Sequence, residues 1–211
     1  MASKIKLTQK QIRQIVADYH AAFQEWLRVG DDMLIRVEGV VGQSIWFDRL
    51  RTGRYRPSAR VNIFAAPDNG GGILVLHQFL GIKNKEINPS FHTQKLPSVV
   101  NALKTEITPS TVEMLDARMV ADLLSREAVG RPAAAYALAC LNAALGIEDA
   151  ARRWIVEYHA AWNALVLDAQ PSDNFRSTLL GQVEKWLDQG SSVDELAAIA
   201  RVEQAKLFAR T

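Results

Sequence analysis

The chain of 211 residues reads as an α+β protein: an N-terminal helix, a four-stranded antiparallel β-meander, then a C-terminal all-helical region of about six helices. Three observations predict this. Apolar residues recur at helical spacing before residue 30. Period-two alternation, broken by turn residues, runs from Met33 to Leu80. After Pro109 only helical spacing returns. The change of pattern divides the chain into residues 1–108, an α+β domain with an antiparallel sheet, and residues 109–211, a helical region packed on it as one compact unit.

Each element has its own signal. Thr8 followed by Gln11 has the form of a capping box, in which a hydroxyl and a side-chain amide satisfy each other's backbone donors. Ile12, Ile15, Val16, Tyr19, Phe23, Trp26 and Leu27 then form one stripe, which predicts a helix reaching Gly30 as its C-cap. Met33–Val37 reads as the first strand, and Gly39 with Gly42 marks a reversal or a bulge. The second strand, Gln43–Leu50, alternates, with Ile45 and Phe47 on one face and Trp46 and Asp48 on the other. Thr52-Gly53 is a turn. Pro57 lacks the N–H that a ladder requires, so Arg54–Pro57 reads as a connection before a third strand at Ala59–Ala65. The run Pro67-Asp68-Asn69-Gly70-Gly71-Gly72 is a hairpin turn, because Asn and Gly tolerate positive φ. Ile73–Leu80 is the fourth strand. Connections this short join antiparallel neighbours.

Residues 81–96 read as a polar loop, after which Pro97 suits the first turn of a helix to Ile107. Further helices are expected over residues 111–127, from Pro132 to Gly146, from Glu148 to Leu167, over Asn174–Gln189, and from Val193 to Ala209. The last is introduced by a second capping box, Ser192 and Glu195. Within this region Ala134–Tyr158 carries Tyr136, Leu141, Leu145-Gly146 and Ala150-Ala151. On those residues it resembles a tetratricopeptide-type helical hairpin. The Trp and terminal Pro markers of that family are out of register, and a free-standing array needs about three units or more. The resemblance therefore implies one αα-hairpin and not a solenoid.

Composition narrows the function classes. An apolar share of 48% is enough to build a core without disulfides or metals. A net charge of +2 is far from the strong basic excess of a typical nucleic-acid-binding domain. The single cysteine, Cys140, excludes an internal disulfide, and its alanine- and leucine-rich surroundings predict a buried, inert thiol. A chain without disulfides fits a reducing compartment, so a cytoplasmic location is expected. The lysine-bearing N-terminus has no apolar run that would make a signal peptide or a membrane anchor.

The four histidines, His20, His77, His92 and His159, lack the spacing of a metal motif, so neither a metal nor another cofactor is implied. His20 and His159 read as half-buried residues at helix edges. The glycine run at Gly70 precedes a strand, whereas phosphate loops precede a helix N-terminus. A stronger signal lies between Arg49 and Arg60, a stretch with five arginines and no carboxylate. The candidate binding residues are Trp46, Arg49, Arg51, Arg54, Tyr55 and Arg56. Guanidinium forks recognise carboxylates and phosphates and stack on aromatic rings, and Trp, Tyr and Arg are the side chains enriched at interface hot spots.

The leading expectation is a non-catalytic protein-interaction module of a bacterial type, an immunity protein or adaptor, whose partner is another protein. The alternative places the same arginines on the phosphates of a nucleic acid. The third is an enzyme whose site gathers around His77 and His92. The first two rest on one geometric expectation, that the arginines share one open surface with Trp46 and Tyr55. The opposing expectation is that the chain's own acids, such as Asp31, Asp32 or Glu113, neutralise them.

Overall fold

In the computed structural model, which describes residues 7–65, 73–79, 86–107, 110–126, 128–165 and 193–209, the strands follow one another as an antiparallel meander. The elements are α1 (Gln9–Ala22), β1 (Leu27–Val29), β2 (Met33–Glu38), β3 (Val41–Arg49), β4 (Tyr55–Ile63), β5 (Ile73–Phe79), α2 (His92–Thr105), α3 (Ala117–Ser125), α4 (Pro132–Ala144), α5 (Glu148–Leu165) and α6 (Val193–Phe208). The α+β class and the four expected strands are present, as β2 to β5, and a short fifth strand precedes them. The expected helix over Asn174–Gln189, the Pro67–Gly72 turn and Ser192 of the second capping box lie outside the described residues. No described helix is long and apolar enough to cross a membrane.

Helix α1 starts as its sequence dictates. The Thr8 side chain accepts from the Gln11 N–H, and the Gln11 side chain accepts from the Thr8 N–H. It ends earlier than its apolar stripe suggests. Phe23 leaves helical geometry at φ −129°, ψ 56°, and Leu27–Val29 pairs instead with Met33–Ile35 of β2. The left-handed conformation of Gly30, φ 58°, serves the β1–β2 turn and not a helix cap. Phe23 and Trp26 stay buried in the connection between α1 and β1 with rings 5.6 Å apart, so the apolar stripe outlasts the helix.

Two further boundaries move for local reasons. Pro57 lies inside β4, opposite Phe47. The neighbouring Tyr55 exchanges backbone hydrogen bonds with Ile87, while β5 pairs only as far as Ser58. The missing N–H of Pro57 therefore falls where the outer ladder is interrupted, and the strand tolerates it. Helix α2 begins at His92, five residues before Pro97. Asn88 accepts from the Ser90 N–H and caps a 3-10 turn, Pro89–Phe91, that leads into it.

The two faces of the sheet bury different partners. Leu34, Ile45, Phe47, Tyr55 and Ala59 pack under α1 and α2. Farther along the same face, Val41, Val61 and Ile63 join α3, α4 and α5. On the opposite face, Met33 and Ile35 meet Ala200 and Leu207 of α6 together with Phe64. Gly42 belongs to this packing: a Cβ there would stand 2.7 Å from the Phe64 ring. Arg36 fastens the crossing between the two front clusters. Its guanidinium donates to Gln43 Oε1 at 2.6 Å and to the backbone carbonyls of Val112 and Glu113, and it lies over the Trp26 ring.

Helices α4 and α5 form the αα-hairpin, with Tyr136 and Tyr158 facing each other at 6.1 Å. Gly146, φ 71°, makes the turn between them. Cys140 is fully buried in α4, and burial pushes its thiol up to about 12.

Candidate functional site

Strand alternation decides where the arginine-rich stretch points, because successive side chains leave a strand on opposite faces. In the β3–β4 ladder Asp48 pairs with Arg56, Trp46 with Ser58, and Ser44 with Arg60. These six residues share the face that carries Met33 and Ile35. Arg49 and Tyr55 pair with each other and belong to the other face, the one covered by α1 and α2. The expectation of one open surface is therefore corrected. The period-two geometry of the strands separates Trp46 and Arg56 from Arg49 and Tyr55.

On the first face a polar network spans the two strands. Arg60 donates to Asp48 Oδ1 at 2.7 Å and to Ser58 Oγ at 3.2 Å, and Ser58 donates to Asp48 Oδ2 at 3.2 Å. The Arg60 guanidinium lies 4.5 Å from the centre of the Trp46 ring. Trp46 Nε1 donates to Ser44 Oγ, which donates to Asn62 Oδ1. Trp46, Asp48, Arg56 and Arg60 are all half-buried. Asp48 takes the part that Asp31, Asp32 and Glu113 were expected to play. Asp31 instead pairs with Arg13 of α1.

At the hairpin end Leu50 and Arg54 close the turn, the Leu50 N–H donating to the Arg54 carbonyl and the Gly53 N–H to the Leu50 carbonyl. Gly53 takes φ 75°, as Thr52-Gly53 predicts. Arg51, Thr52 and Arg54 are exposed. Glu86 reaches the turn from the segment after β5: its Oε2 lies 3.7 Å from Arg54 and 3.4 Å from Thr52 Oγ1. Arg49 is exposed and donates to Gln9 Oε1 of α1 at 2.6 Å.

Tyr55 is not a surface residue. It is 0% exposed, and its hydroxyl lies 2.7 Å from His92 Nδ1, while His92 Nε2 lies 3.0 Å from Asp18 Oδ2. Tyr19 packs against the His92 ring in a tilted arrangement, 5.7 Å between centroids. Burial pushes the Tyr55 phenol up to about 12. A relay of carboxylate, imidazole and hydroxyl thus exists, but its hydroxyl is enclosed in the core and held away from ionisation, the reverse of what an activated nucleophile needs. Sequence reading missed the relay because its members stand 37 and 74 residues apart, with no local spacing to advertise them.

The remaining histidines are placed as follows. His20 is half-buried and hydrogen-bonded to the Trp26 carbonyl at 2.8 Å, whereas His159 is exposed with its ring edge on Tyr158. His77 pairs in backbone register with Arg60. His92 lies in a helix and not in the expected loop, with Asp18 as the carboxylate that the local sequence does not supply. Among the described residues no three His, Cys, Asp or Glu side chains converge as metal ligands. No protein-family model matches the chain, and neither curated proteins nor solved structures yield a significant match.

Proposed function

We propose that the protein is a non-catalytic interaction module, an adaptor or immunity protein of a bacterial type, that docks another protein through the end of its β3–β4 hairpin. One observation carries this reading. Arg51 and Arg54 stand exposed at the tip, and the strand behind them continues with Arg56 and Arg60 beside Trp46. Arg and Trp dominate interface energetics because they combine contact area with directional donors. A cytoplasmic setting goes with this reading on the strength of the lone, buried Cys140.

The test is affinity capture from native lysate with the wild-type chain and an Arg51→Glu/Arg54→Glu variant. Loss of specific proteins with the variant supports the reading, and identical protein sets sink it. The second reading, nucleic acid on the same arginines, draws on the Arg-and-Trp face. It predicts binding that weakens steeply and log-linearly with salt, whereas a protein interface anchored on apolar contact changes little.

A further inference from the structure

Helix α6 meets the sheet with a charged residue in its buried stripe. Among its described side chains Ala200, Glu203 and Leu207 are the buried ones, on one helical face at steps of three and four. Arg201, Val202, Ala205 and Lys206 are exposed. Ala200 and Leu207 meet Met33, Ile35 and Phe64 on the side of the sheet away from α1 and α2. Between them stands Glu203, 2% exposed. Its Oε1 accepts from Lys206 Nζ, and its Oε2 is buried with no hydrogen-bond partner among the described residues.

A carboxylate in that position weakens the seat. Taking it out of water costs free energy that an ion pair with a half-exposed lysine recovers only in part, and the second oxygen recovers none. The apolar side of the balance is small. An alanine and a leucine are the α6 members of the buried cluster, with Phe208 partly buried beside them. The printed polar tie to the sheet is one hydrogen bond, Gln204 Nε2 donating to the Gly39 carbonyl at 2.7 Å. Helix α1, by contrast, buries Ile12, Ile15, Val16 and Tyr19, and α4 is buried along most of its length.

We propose that α6 is a releasable cover over this face of the sheet, and that Glu203 keeps its docking reversible. Lifting α6 as a unit uncovers Met33, Ile35 and Phe64 beside Trp46, an apolar surface that the docked helix hides. The rest of the fold does not lean on α6, since the two front clusters contain none of its side chains. Opening of one weakly held element while the remainder stays folded is the behaviour of a separate cooperative unit. The inference does not rest on the hairpin arginines or on where a partner docks.

The experiment is thiol labelling of the full chain with DTNB under native conditions. Cys140, fully buried in α4, is the one native thiol and reports opening of the core, and Ala200→Cys adds a thiol on the buried side of α6. The added thiol should react on the order of tenfold faster than Cys140 or more, because local opening lies below the global free energy. Glu203→Met, apolar and unbranched, should slow that reaction about 5- to 150-fold, the factor equivalent to the ~1–3 kcal/mol that an unsatisfied buried acceptor costs. Hydrogen exchange on the unmodified chain guards against the added thiol itself loosening the helix. Amides from Ala200 to Leu207 should share one opening free energy below that of β3, with weak dependence on denaturant.

Equal labelling of the added thiol and Cys140, or unchanged or faster labelling with Glu203→Met, overturns the proposal. So does exchange in α6 that is as slow as in β3, which means a fixed helix, or exchange graded toward Ala209, which means a frayed end. Uniform, rapid exchange along α6 together with slower labelling in Glu203→Met supports a cover whose seat the glutamate sets.

Discussion

The Tyr55 hydroxyl sits 2.7 Å from His92 Nδ1, and Asp18 Oδ2 lies 3.0 Å from the other ring nitrogen, Nε2. One imidazole thereby joins β4 to α1 and α2. Tyr55→Phe leaves the buried Nδ1 without its hydrogen-bond partner, a loss expected to cost about 1–3 kcal/mol. Urea denaturation gives the value; a change below about 0.3 kcal/mol, within the ordinary range of surface substitutions, would mean that the contact does not contribute.

The same burial sets an alkaline limit. Tyr19 and Tyr55 both have phenols raised above the ordinary value, chiefly by desolvation. A raised folded pKa gives stability that is complete below the unfolded value of about 10 and is lost as pH climbs through the folded value. For Tyr55 that window runs from about 10 to about 12. Phenolate absorbance from these two residues should appear together with the loss of helical circular dichroism. Titration of all four tyrosines before any unfolding would contradict it.

Gly42 is required by the close approach of its neighbours. A Cβ would meet Phe64 Cε2 at 2.7 Å and Ile35 Cδ1 at 3.4 Å, and Phe64 is wholly buried. Gly42→Ala should destabilise the fold by about 1–3 kcal/mol through overpacking. Phe64→Leu in the same chain should recover part of that, a coupling that a double-mutant cycle detects.

Arg36 is a buried cation used as a hydrogen-bond hub, its pKa lowered by desolvation. Arg36→Met strips donors from the carbonyls of Val112 and Glu113 and should cost about 1–3 kcal/mol. Faster amide exchange or proteolysis around residues 110–114 is the specific signature. Arg36→Lys should not restore stability, because a single ammonium cannot reproduce the planar fork that reaches Gln43 and both carbonyls.

How much of this was legible beforehand can be judged element by element. The Thr8–Gln11 capping box, the Thr52-Gly53 turn, the strands β2 to β5 and the α4–α5 hairpin are all written in local spacing. The start of α2 was not legible, because its N-cap, Phe91, offers no side-chain hydrogen bond, and the proline at 97 is the louder signal. The end of α1 was not either, since Phe23, Trp26 and Leu27 keep helical spacing although the chain leaves the helix at Phe23. Helix α3 begins only at Ala117, where Asp116 accepts from the Met119 N–H. The residues before it are held outside a helix by Arg36 and by the Thr111 hydroxyl bonded to the Leu103 carbonyl.

By itself, then, the sequence determined the helical start of the chain, the strands β2 to β5, the α4–α5 hairpin and the order in which the strands turn back, because these depend on residues within about four positions of one another. The tertiary structure decided which face each arginine joins, that Tyr55 is core, and that Asp18, His92 and Glu86 are the partners waiting opposite. Those pairings depend on strand register and on packing across dozens of residues, where no local periodicity records who will meet whom.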